Sequence, residues 1–493
     1  MDIRRREFGL LGLAAAAHVV KAQPPRPKLF VLVLVEQLRP DALELLGPEF
    51  GQGGFRRLQE KGAWFPDCRH LASTFPATGI ATLATGAWPA QHGIVAGSWY
   101  DPAVRVVVRA TGEGLLATTL AAQIAAEPRT RVFTAALDQA QAALFAGTPS
   151  AQLFWMDDAG QFTTNGGKPD WLAEYNRLTP VENLHNAEWM ALGARPGAPA
   201  LRTLKFDAAK PEEFLALYKA SPLAQEAQFA FLAELIARER LGQGSTFDFV
   251  CLVAGSSALL GYETGGRSPL MRQMVLQLDQ RLASLFERLN KAPGENAYNF
   301  ALAAAHGAPP APLAANRPRM AIGGEAIAQA VQRSLSAGGA ARVQRYLYPF
   351  LYLDAGSARD REPVRLAAAR AAMRQPAVAG YFTAGGACST QDDWQRRFRN
   401  SFHPTRSGDV MLSYQPEYVE DYGAGGGVSY GSLYNYDACV PLFFHGPQFR
   451  AGVFESPVES VDVAPTLARA IGVAAPSSST GRVLSQALAR GDA

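Results

Sequence analysis

The residues able to do chemistry in this chain stand where apolar runs stop. Residues 29–35 form an unbroken apolar run (LFVLVLV) that ends on the carboxylate of Glu36. Residues 299–304 lead into Ala305-His306-Gly307, residues 247–253 into Ala254-Gly255-Ser256, and residues 440–444 into His445-Gly446. Short apolar runs rich in β-branched residues read as strands buried on both faces of a parallel sheet. Ligands of open α/β sheets bind at the carboxyl ends of such strands. That rule places the Glu36 carboxylate and the His306 imidazole where acid–base work or metal binding is done. His445 follows its run in the same way, but stands isolated from other candidate groups. His70, His92, His185 and His403 read as surface or satisfied core residues.

The elements that must position these groups are legible as alternation. Strand-like runs alternate with helical segments such as residues 53–61 and 268–289, which indicates a doubly wound, mostly parallel sheet with helices on both faces. Two stretches break the rhythm. Residues 138–245 are helix-rich, and residues 309–418 hold an Ala-rich helical piece and a loop, His403 to Val410. Both are expected as insertions that cap the strand ends, leaving 28–137, 246–308 and 419–480 as the core.

Hydrophobic residues make up 48% of the 493 and charged residues 18%, enough apolar surface for a large core and too little charge for disorder. Arg4, Arg5, Arg6 and Lys21 against Asp2 and Glu7 place two of the three net positive charges in residues 1–22. The remainder is close to neutral and carries no electrostatic footprint for nucleic acid. Residues 1–22 read as a twin-arginine-like export signal: Arg5-Arg6-Glu7-Phe8, an apolar run, then Val20-Lys21-Ala22. No stretch is long and apolar enough for a membrane span, so a periplasmic or secreted protein is expected. Cys68, Cys251, Cys388 and Cys439 are widely spaced and lack zinc-ligand spacing. Export would permit one or two disulfides among them, and the spacing leaves their pairing open.

Ser73-Thr74-Phe75-Pro76, followed by Thr82-Leu83-Ala84-Thr85-Gly86, Pro89, His92-Gly93-Ile94 and Trp99-Tyr100-Asp101, resembles the nucleophile region of the alkaline phosphatase superfamily. The branch it resembles is the type I phosphodiesterase/nucleotide pyrophosphatase one. The His403-to-Val410 run and Tyr434-Asn435-Tyr436-Asp437 continue the match in the family's order, over roughly residues 28–475. The resemblance implies an alkaline phosphatase-like fold, phosphoester hydrolysis and two zinc ions that clamp the attacking and leaving oxygens.

At the positions where the resemblance implies zinc ligands, this chain departs from the pattern. The first-strand Asp is Glu36, and the nucleophile is Thr74. The middle Asp and His fall on Ala258 and Tyr262, the later Asp-His pair on Ala305-His306, and the final His on Tyr430. Thr74, His306 and Glu36 remain, and four of the seven positions are lost. A phosphate-contacting Lys and Arg of the phosphatase-like relatives align with Asp138 and Ala140.

Zinc sites draw three or four ligands from Cys, His, Asp and Glu; Glu36 and His306 supply two. The expectation is therefore a pseudoenzyme with no cofactor, binding a small ligand or a protein partner in its cleft. The alternative is an active, metal-dependent phosphoester hydrolase with a reduced site and Thr74 as nucleophile. Without a metal, Thr74 would need His306 as base and Glu36 as orienter, a triad-like set. Tyr262, Tyr430, His306 and Glu36 would also make a hard ligand set suited to ferric iron; packing of the two phenols into the old cavity is the favoured reading.

Overall fold

The computed structural model describes residues 27–309, 320–322, 324–337, 341–354, 360–390, 393–416, 418–420 and 430–489. The expected export signal, residues 1–22, lies outside them.

A ten-stranded sheet organises the fold. At its centre runs Leu29–Glu36, every residue of it buried. Phe247–Ala254 and Tyr298–His306 flank it, both parallel to it. Thr130–Ala136 and Gln152–Met156 continue the parallel order on one side, and Phe162–Thr164 closes that side antiparallel. Strands buried on both faces need continuous apolar sequence, which is why these runs show no alternation. Phe30 and Phe249 share one face, where Phe145 of helix Gln139–Ala146 stacks on Phe249 with centroids 6.0 Å apart. Phe300 points to the other face, against Phe286 of helix Pro269–Leu289 at 4.8 Å. Helices thus cover both faces, the α/β arrangement expected.

Helix Pro269–Leu289 starts where Ser268 accepts a hydrogen bond from the Met271 N–H at 3.0 Å, an N-cap followed by Pro at the first helical position.

One strand runs against the expectation. Cys439–His445 is antiparallel to Tyr298–His306, with His445 opposite Phe300. His445 therefore sits near the amino end of the neighbouring strand, away from Glu36, where its ring bonds the Lys61 carbonyl and meets the Arg57 guanidinium. An apolar run reports burial but not direction, so the run alone placed His445 at the wrong edge.

Of residues 138–245, Gln152–Met156 and Phe162–Thr164 extend the main sheet. Residues 309–418 build a second sheet of four antiparallel strands: Arg342–Leu347, Phe350–Asp354, Val410–Tyr414 and Val378–Thr383. Tyr348, in its first turn, meets Phe75 at 6.0 Å and so brings this sheet to the carboxyl ends of the central strands. No helix among the described residues is long and apolar enough to cross a membrane. All four cysteines are free. Cys68 and Cys439 lie on adjacent strands but pair with Val440 and Arg69 respectively, which turns the two thiols to opposite faces.

Candidate functional site

The carboxyl ends of three adjacent strands bring Glu36, His306 and the start of helix Ser256–Thr264 together. Glu36 and His306 are register partners, just beyond an irregularity at Val35/Glu36. Helix Pro76–Thr85 carries the Thr74 segment in from the side. It begins with Pro76 at the first helical position and stops at Gly86 in the left-handed conformation, φ 67°. Its small residues allow a close approach: a methyl at Gly79 would overlap the Ala305 backbone carbonyl. That contact fixes how near Thr74 lies to the His306 strand.

The Thr74 side chain is fully buried, and its hydroxyl donates to the Ser432 carbonyl at 2.9 Å. Ser432 in turn donates through its own hydroxyl to Asp437. Burial raises the Asp437 carboxyl to about 7, against the lowering effect of the Ser432 bonds. Asp437 belongs to a motif noticed in the sequence, but its position behind the nucleophile segment required the fold.

Glu36 is 2% exposed. Its two carboxyl oxygens both accept from the Gln141 side-chain amide, at 3.1 Å each. Burial raises its pKa to about 8, opposed by the Gln141 bond and helped by the Asp138 charge. Gln141 was not singled out by sequence reasoning, which aligned Asp138 and Ala140 with cationic positions. Asp138 instead caps helix Gln139–Ala146, accepting from the Ala140 N–H at 2.8 Å. The cap aims the first turn at the cleft, and Ala140, Gln141 and Leu144 line it. The available signal was the Asp N-cap itself, since a helix started there must present residues 140, 141 and 144 on one side.

His306 is buried and bonds the Gly307 carbonyl through Nδ1 at 2.7 Å. Its Nε2 has no hydrogen-bond partner among the described residues. Burial lowers its pKa to about 4, so the ring is neutral at physiological pH. Tyr430 packs on it, ring centroids 5.4 Å apart, and also lies 6.2 Å from Tyr262 and 6.4 Å from Phe75. Ala258 and Ala305 are both buried. Glu36, Ala258, Tyr262 and Tyr430 line one cleft of about 560 Å³, whereas Thr74 and His306 lie behind its wall.

The sequence profile of the type I phosphodiesterase / nucleotide pyrophosphatase family matches residues 30–436, most of the chain. The chain belongs to this family. It is 24% identical over 98% of its length to alkaline phosphatase PafA of Elizabethkingia meningoseptica, covering 99% of that protein. It is 24% identical over 94% of its length to alkaline phosphatase PhoV of Synechococcus elongatus, covering 93% of that protein. The crystal structure of PafA superposes with a TM-score of 0.81 at 22% identity, over 94% of this chain and 99% of that one. Murine ectonucleotide pyrophosphatase / phosphodiesterase 5 gives 0.55 at 14% identity, over 90% and 95%. These likenesses establish the alkaline phosphatase-like α/β fold.

The family members also correct the expectation of a protein with no cofactor, and with it the ferric-iron alternative on Tyr262, Tyr430, His306 and Glu36. PafA and PhoV, which match over nearly the whole chain, are zinc-dependent alkaline phosphatases. The side chains described here do not complete a site for zinc. No three of the described His, Cys, Asp and Glu residues gather as a metal centre requires. The carboxyl of Glu36 is engaged by an amide, and His306 stands behind Tyr430. The donor set does not fit two zinc ions.

Proposed function

We propose that this family member works by binding a ligand in the cleft, as a pseudoenzyme with little or no phosphoester hydrolysis. One observation carries the reading: the cleft that holds the Gln141-bound Glu36 carboxyl is lined by Ala258, Tyr262 and Tyr430, where a phosphoryl-transfer centre needs cations. Thr74 keeps its place, but its hydroxyl is directed to the Ser432 carbonyl, and the ionisable group beside it is the buried Asp437 carboxyl rather than an imidazole or a metal-bound base. The occupant is a small ligand or a protein segment, and nucleic acid is disfavoured by the near-neutral chain. We place the protein in the periplasm or outside the cell, exported by residues 1–22. We assign 28–137, 246–308 and 419–480 to the core, joined by helix Gln139–Ala146 and strands Gln152–Met156 and Phe162–Thr164, with the rest of 138–245 and 309–418 as insertions around the cleft.

The test is hydrolysis of 4-nitrophenyl phosphate and bis(4-nitrophenyl) phosphate by zinc-replete protein. The expected result is a rate unchanged by Thr74→Ala. Turnover abolished by that substitution would replace this reading with the second one, an active hydrolase with Thr74 as nucleophile. The second reading is supported by the relatives, which are named alkaline phosphatases.

A further inference from the structure

The cleft has a chemical character that its ancestry does not suggest. Among the described residues lining it, Glu36 is the single ionisable side chain apart from three tyrosines; no Lys, Arg or His is present. A phosphate dianion entering here would lose its water and face a carboxyl group with no cation to offset either cost. The walls are instead apolar and aromatic, built by Phe75, Leu144, Leu259, Tyr348 and Tyr430. Leu259 stands at the mouth, 44% exposed, so apolar surface continues to the entrance.

Gln141 is one of the polar residues lining this space. Gln141 donates its amide nitrogen to both oxygens of Glu36, and its own carbonyl oxygen, Oε1, is buried without a hydrogen-bond partner. A buried carbonyl left unpaired is costly, and a ligand bearing one O–H or N–H donor would satisfy it. At about 560 Å³ the space suits a drug-sized molecule with a ring system and one polar end.

We propose that the cleft selects an uncharged aromatic small molecule with a hydroxyl or amide donor directed at Gln141 and Glu36, and discriminates against phosphate esters of the same body. This rests on the binding reading above, and the two can fail separately.

The experiment compares 2-naphthol with 2-naphthyl phosphate, which share one ring system and differ in the anionic group. Binding of each to the protein as isolated is measured by calorimetry at pH 7, and release of fluorescent 2-naphthol from the ester is followed in parallel. The expected result is at least tenfold tighter binding of 2-naphthol. Two substitutions place it: Gln141→Leu, which removes the unpaired acceptor, and Leu259→Arg, at an exposed position that leaves the core untouched. Each should weaken 2-naphthol at least fivefold, and Leu259→Arg should narrow the preference against the ester. Equal or tighter binding of the phosphate, with no naphthol released, overturns the ligand class and leaves the binding reading standing. Release of naphthol that Thr74→Ala abolishes overturns the binding reading itself. Binding of neither compound at millimolar concentration, or 2-naphthol binding that both substitutions leave unchanged, also overturns the ligand class.

Discussion

Replacing Glu36 by Gln should change the pH dependence of stability in a direction and by an amount the structure specifies. The carboxyl is 2% exposed, and burial raises its pKa from 4.5 to about 8. Below pH 4.5 the group is protonated in both the folded and unfolded chain, so its full contribution to stability is present. As the pH rises, the unfolded chain releases the proton while the folded chain holds it, and stability falls until the pH passes about 8. At about 1.4 kcal/mol per pH unit, the rise corresponds to on the order of 5 kcal/mol lost across that window. Gln has nearly the same shape and no proton to lose. The difference in unfolding free energy between the parent and Glu36→Gln should therefore move against the parent by about 4 kcal/mol between pH 5 and 8. Asp437, raised to about 7, titrates in the same window but is common to both proteins and cancels. The assay is urea unfolding by intrinsic fluorescence at pH 5, 6, 7, 8 and 9 on chelator-treated protein. A difference that stays constant within about 1 kcal/mol would refute the burial argument, because a solvated or cation-paired Glu36 would have no such window.

Three other outcomes are expected. Gly79→Ala should lower stability by more than about 2 kcal/mol, since the new methyl meets backbone rather than a movable side chain; urea midpoints measure it. Between pH 6.5 and 4 the parent should lose stability relative to a His70→Asn, His306→Asn variant as the pH falls, because burial lowers both imidazoles to about 4 and the unfolded chain takes up their protons first, while the opposing gains at Glu36 and Asp437 are common to both proteins. Thermal melting of the pair across that range measures the difference. Restoring Ala258→Asp, Tyr262→His, Ala305→Asp and Tyr430→His should raise zinc retained after dialysis by at least one ion per chain, measured by elemental mass spectrometry. A variant retaining no more zinc than the parent would show that those four positions do not surround a common site.

What the amino-acid order determined by itself was four strands of the ten-stranded sheet, helical segments such as 268–289, and the family. Continuous apolar runs such as residues 29–35 can be stable only between two covered faces, and Ser268-Pro269 starts a helix by local hydrogen bonding alone. Such signals act over a few residues and survive without knowledge of neighbours. The direction of Cys439–His445 did not follow from its sequence, because apolar burial is the same whichever way a strand runs; pairing with Tyr298–His306 decided it and moved His445 away from the cleft. The same holds within the four-stranded sheet of 309–418, where the hairpin of Arg342–Leu347 and Phe350–Asp354 is local but Phe350–Asp354 finds its other partner in Val410–Tyr414. Gln141 meets Glu36 across 105 positions, and Ser432 joins Thr74 across 358. Side chains that far apart in sequence interact only because the sheet brings the ends of separate strands to one place, so the chemical character of the cleft was a decision of tertiary structure.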